Sequence, residues 1–177
     1  MLTFTNMKQN YELMIEIPDG IICSLSGSLL ESSKGNTKIS KKFILHDLTM
    51  EVNEKKIRIY CKKANRKNVA NANSYVAHIK NIFHGLKERF TYEMEICNVH
   101  FPMTVKVDKM NLIVNNFLGE KVARNAKILE DTEVKIEGSK IIITSFDIEK
   151  AGQTAANIEN KIAIFRKKEI RKVVYKN

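Results

Sequence analysis

The chain has 177 residues, 44% of them hydrophobic, with no Trp and only two prolines, Pro18 and Pro102. That content excludes a disordered polymer and leaves room for one domain or two small ones, each with a modest core. Thirty Lys and Arg stand against twenty Asp and Glu, a net charge of +10, which suits a polyanionic partner, either nucleic acid or an anionic membrane surface.

Met1 to Asn10 carries no basic region followed by an apolar run, so no secretory signal is expected there. Leu13–Ile17 and Ile21–Leu25 read as strands joined by a turn at Pro18-Asp19-Gly20. Cys23 opens a set of three cysteines, with Cys61 and Cys97. The set is odd in number and lacks metal-ligand spacing, so buried reduced thiols in a reducing compartment are expected. Lys38–Ile44 is a further strand, and Lys38, Lys41 and Lys42 add charge to it. Glu51–Tyr60 reads as strand, tight turn, strand.

Between that hairpin and the next element lie Lys62, Lys63, Arg66 and Lys67. Four cations on a loop cannot be buried, and they can present several donors to phosphates. Ala72, Tyr75, Ile79 and Ile82 then recur at helical spacing, with Asn71 as the expected cap. Lys87–Val99 alternates Phe90, Tyr92, Met94 and Ile96 with charged residues, which predicts a strand rather than a flexible linker.

The second half repeats the first. Met103–Val107, Leu112–Val114 and Lys121–Arg124 read as strands, and Val134–Thr144 is a second hairpin. Val52, Ile57 and Ile59 match Ile136, Ile141 and Ile143. Ala155, Ile158, Ile162 and Phe165 repeat the helical stripe, with Asp147 as cap. Duplication of one module is implied. The expected fold is α+β, with two tandem duplicated modules, each a small, mostly antiparallel sheet packed on one helix. The modules are 1–88 and 89–177, the second ending in a basic tail at residues 166–177.

The turn from Asn115 to Lys121 admits two readings: Phe117 and Leu118 cap a core, or the backbone amides and Lys121 face an RNA groove. Catalysis finds little support. His46, His78, His84 and His100 have no ligand partners at metal spacing, the carboxylates are interleaved with Lys, and there is no Gly-rich loop or nucleophile elbow. A hydrolase or transferase would need a site assembled from dispersed residues. No cofactor, metal or membrane partner is expected.

His100-Phe101-Pro102, followed by Asn116-Phe117-Leu118-Gly119-Glu120-Lys121 and Arg124, resembles the archaeal and eukaryotic branch of universal large-subunit ribosomal protein six, protein nine in eukaryotic naming. Asn65-Arg66-Lys67, Gly85, the joining strand with Phe90, Tyr92 and Met94, and Lys168-Glu169-Ile170-Arg171-Lys172 fit the same pattern, so the resemblance runs from about Ile15 onward. Glu31–Gly35 departs from it, keeping a glycine without the family's proline, and the aromatic residues common before Asn65 are missing. The resemblance implies a structural constituent of the large ribosomal subunit, not an enzyme. It implies contact with ribosomal RNA near the sarcin–ricin region, with ribosomal proteins as neighbours and translation GTPases docking nearby. The implied RNA-binding residues are Lys121, Arg124, Lys168, Arg171 and Lys172, beside the loop cations Lys62, Lys63, Arg66 and Lys67. An RNA-binding or RNA-chaperone module acting outside the ribosome is the alternative.

Overall fold

The structure is a computed structural model that describes residues 9–53, 55–96, 102–162 and 174–175. The chain divides into two compact units, Met1–Lys87 and Glu88–Asn177.

The first unit runs β1 (Gln9–Glu16), β2 (Ile22–Ser26), β3 (Leu29–Lys34), β4 (Thr37–Lys42), β5 (Thr49–Val52), β6 (Lys56–Ala64) and α1 (Arg66–Lys87). Its strands form two antiparallel sheets, ordered β1-β6-β5 and β2-β3-β4. Each strand alternates a core side chain with an outward one, as a half-buried pleat requires. On β6, Ile57, Ile59 and Cys61 point inward. From α1, Ala72, Ile79, Ile82, Phe83 and Leu86 are buried, so the sequence stripe marks the core face, with Tyr75 half-buried at its edge.

The second unit repeats this order: β7 (Phe90–Glu95), β8 (Thr104–Asp108), β9 (Asn111–Asn115), β10 (Arg124–Lys127), β11 (Thr132–Glu137), β12 (Lys140–Ser145) and α2 (Ile148–Ile162). Its sheets are β11-β12-β7 with a short β13 (Val174–Tyr175) on the far side of β7, and β10-β9-β8. Val52 pairs with Ile57 across the first hairpin, and Ile136 with Ile141 across the second, so the repeat holds at the level of strand register. A core of Tyr92, Met94, Leu112, Val114, Ile141 and Ile143 closes beneath Ala151, Ala155 and Ile158 of α2.

Three elements differ from expectation. Lys121–Arg124 is not a strand: the chain bends there, and β10 begins at Arg124, because a left-handed turn precedes it. β3 was not foreseen; its Leu29-Leu30-Glu31-Ser32-Ser33 buries only Leu30 and Ser32 deeply, and buried Ser32 breaks the apolar alternation. The α+β class with two duplicated modules holds, and within each module the strands divide between two small antiparallel sheets. The cap of α1 is Asn65, whose Oδ1 accepts the backbone N–H of Asn68 at 2.8 Å. Asn71 lies one full turn inside the helix. Asp147 does cap α2, accepting from the N–H of Glu149 at 2.9 Å.

Candidate nucleic-acid interface

The basic cluster of the first unit is not on a loop. Lys62 and Lys63 end β6 and Arg66 and Lys67 open α1, with Ala64 and Asn65 between. All four cations are exposed, and none has a carboxylate partner among the described residues. The first turn of α1 holds no acid. Cations there oppose the positive end of the helix dipole at roughly 0.3–1 kcal/mol each, and the same field attracts a bound anion. Other cations of the unit are neutralised internally: Arg58 grips Glu12 with Nε–Oε1 at 2.7 Å, and Lys38 meets Glu31 at 2.9 Å.

In the second unit the turn between β9 and β10 bears on the core-capping reading of Phe117 and Leu118. Asn116, Leu118 and Gly119 take left-handed backbone angles, with φ of 57°, 50° and 82°. Asn and Gly tolerate that conformation, whereas Leu is strained in it. Phe117 drops into the core, while Leu118 is 46% exposed. Asn116 Nδ2 ties the turn to the carbonyl of Pro102 at 2.9 Å.

Arg124 fastens the turn. Its Nε donates to Glu120 Oε2 at 2.8 Å and its Nη2 to Glu120 Oε1; the guanidinium lies 4.2 Å over the Phe117 ring, and Nη1 donates to the Lys161 carbonyl near the end of α2 at 3.0 Å. The hydrogen bond and charge of Arg124 hold the Glu120 carboxyl below its usual range, and Glu120 holds the guanidinium pKa up. Arg124 is thus engaged within the protein. Lys121 beside it is exposed, as is Val122. His100, Phe101, Lys168, Arg171 and Lys172 lie outside the described residues, and Pro102 is exposed.

The described residues hold no cluster of metal-ligating side chains, and no helix among them is long and apolar enough to cross a membrane. Cys23 and Cys61 are free thiols; burial pushes the Cys23 thiol up, the opposite of nucleophile activation, and its Sγ lies 3.4 Å from Ser32 Oγ. The arrangement can neutralise phosphates and present shaped turns.

Sequence reasoning missed the β8-β9-β10 sheet as a surface. Lys106, Asn111, Asn125 and Lys127 lie on its outward side, and only strand register reveals their convergence.

Residues 101–176 match the family model of ribosomal protein L6. The chain is 38% identical over 152 residues to large ribosomal subunit protein uL6 of Methanosarcina mazei, covering 86% of each chain. It is 36% identical over 158 residues to the uL6 of Methanocella arvoryzae, covering 89% of each. Against the uL6 of Archaeoglobus fulgidus it is 34% identical over 175 residues, covering 94% of this chain and 87% of the relative.

Proposed function

The chain belongs to the large ribosomal subunit protein uL6 family, and from that premise we propose that it binds ribosomal RNA through cations that the fold leaves without carboxylate partners. It is a structural, non-enzymatic component of the large subunit and resides with the ribosome in the cytoplasm. Its partners there are ribosomal RNA and neighbouring ribosomal proteins.

The observation that carries the RNA-binding reading is the contrast between paired and unpaired cations. Arg58, Arg89 and Lys150 are held by acids of the fold. Lys62, Lys63, Arg66, Lys67 and Lys121 are exposed and make no ion pair among the described residues. Each such cation can displace a condensed counterion from RNA. Arg124 contributes by shaping the turn that carries Lys121, and Lys168, Arg171 and Lys172 extend the set by resemblance. Placement near the sarcin–ricin region, with translation GTPases docking nearby, rests on the same resemblance.

Binding of the full chain to a large-subunit ribosomal RNA transcript should weaken steeply with salt. Replacing Lys62, Lys63, Arg66 and Lys67 together by Gln should lower the slope of log affinity against log salt by about three to four. An unchanged slope would remove these residues from the interface. Chemical footprinting of assembled subunits tests the placement: protection confined to other parts of the RNA would refute it. Sedimentation of lysate separates this function from the alternative. Co-migration with large subunits through a moderate salt wash supports the ribosomal role, whereas recovery only in light fractions would favour an RNA chaperone acting elsewhere.

A further inference from the structure

The two modules place different chemistry on the outward faces of their equivalent three-stranded sheets. Register makes the comparison residue by residue. In the first module Glu31 of β3 sits at the centre of the face, paired across to Ser24 of β2 and Ser40 of β4. In the second module Ile113 of β9 occupies that centre, between Lys106 of β8 and Asn125 of β10. The next rung is Asp108, Asn111 and Lys127, and Thr104 opposite Asn115 makes a third.

The inner side of this sheet is sealed. Leu112, Val114 and Ala126 belong to the core beneath α2. Strand alternation therefore turns Lys106, Asn111, Ile113, Asn115, Asn125 and Lys127 away from it. Lys106, Asn111, Asn125 and Lys127 are exposed, and Ile113 and Asn115 are half-buried. Neither lysine is ion-paired among the described residues. Glu31 meets Lys38 at 2.9 Å and places a carboxylate in the middle of the first module's face, whereas the second face carries its carboxylate, Asp108, at the end of β8.

We propose that the outward face of β8-β9-β10 docks on the minor groove of a ribosomal RNA duplex, an inference that rests on the RNA-binding function above. Adjacent strands lie about 4.8 Å apart, so Lys106 and Lys127 on the two outer strands are separated by roughly 10 Å or more. They reach phosphates on either side. The amides of Asn111, Asn115 and Asn125 between them both donate and accept, as contacts to 2′-hydroxyls and base edges require. The A-form minor groove is wide and shallow, which a sheet face of amides flanked by lysines can approach. Protein interfaces are depleted in lysine and enriched in aromatic residues, and the residues of these three rungs include no aromatic. RNA is thus the occupant that the chemistry favours.

The test uses the full chain and a large-subunit ribosomal RNA transcript. The double variant Lys106→Gln/Lys127→Gln should bind about tenfold more weakly and lower the salt slope by about two. Ile113→Glu, which installs the first module's carboxylate, should weaken binding at least as much. Lys42→Gln changes the first-module residue equivalent to Lys127 and should cost no more than about twofold. Asn111→Ala/Asn125→Ala should narrow the preference for duplex RNA over a DNA duplex of the same sequence. Circular dichroism should show each variant folded, since every changed side chain faces outward. If the wild-type chain binds and the double variant and Ile113→Glu bind equally well with the same slope, the face is not an RNA surface, although the protein still is an RNA binder. If the variants keep RNA affinity but no longer sediment with large subunits, the face belongs to a neighbouring protein and the proposal is overturned. If the wild-type chain fails to bind, both readings fall.

Discussion

The two modules share one frame but use it oppositely. At the start of the helix, the first module places Arg66 and Lys67 behind an uncharged Asn65 cap, whereas the second places Asp147 and Glu149 there. On the sheet, the first module sets Glu31 at the centre of the outward face, whereas the second sets Ile113. The β3–β4 connection is a tight turn at Gly35 and Asn36, while its counterpart between β9 and β10 spans residues 116–123 and carries the Arg124 clamp. A duplicated core thus tolerates exchange of its outward charges without altering register. Unpaired cations gather at the helix start in the first copy and not in the second.

The sharpest way to break the comparison is through the core. Ile59 and Ile143 are fully buried on the equivalent central strands β6 and β12. If the modules are energetically alike, Ile59→Ala and Ile143→Ala should each destabilise the chain by about 3 kcal/mol, from lost transfer energy and the cavity left behind. Denaturant unfolding, followed with hydrogen exchange to locate the loss, measures both. Each variant should lose protection mainly in its own half. Equal loss throughout the chain would show that the two units unfold as one.

A second test separates the modules at the turn that only one of them elaborates. Glu120 has its carboxyl held below the ordinary value near 4.5 by Arg124. A carboxyl depressed in the folded state contributes stability that is present above its unfolded pKa and is lost as pH falls through the lower folded value. In the wild type, NMR signals of residues 116–123 should therefore shift only at acid pH, as Glu120 protonates. In Arg124→Met, the Glu120 carboxyl should titrate upward toward its ordinary range and those signals should be altered already at neutral pH. A Glu120 titration unchanged by the substitution would show that the clamp does not act in solution.

The legible parts of this fold were those with a period. The hairpins and helices announced themselves because Ile57, Ile59, Ile141 and Ile143 recur in strand alternation and Ala72 and Ile79 in helical spacing. β3 escaped because a buried Ser32 interrupts its apolar pattern, and composition does not reveal that its Oγ lies near the Cys23 thiol. The basic residues were visible as charge, but their roles depend on distance. Arg124 and Lys121 are neighbours in sequence, yet one is gripped by Glu120 and stacked on Phe117 while the other is exposed. Lys106 and Lys127 looked unrelated because twenty residues of intervening chain separate what two strand pairings bring onto one face.

The smallest effects test whether the helix starts, opposite in charge, are equivalent in mechanism. Asn65 and Asp147 each accept a backbone N–H from the first turn, at 2.8 and 2.9 Å. Replacement of either by Ala orphans that donor and should cost about 1 kcal/mol. Asp147→Ala should cost slightly more, because it also removes a negative charge from the positive end of a helix dipole. In the first module that end already repels Arg66 and Lys67, so Asn65→Asp should stabilise α1 by a few tenths of a kcal/mol while weakening attraction for phosphate. Asn71→Ala is the matched control. Asn71 is exposed and lies within α1, where Ala is the better helix former, so this change should stabilise by about 0.5 kcal/mol. Thermal unfolding of the set distinguishes the two positions: a loss at Asn71 as large as at Asn65 would mean that the helix begins a turn later in solution and that the four cations precede it on a loop.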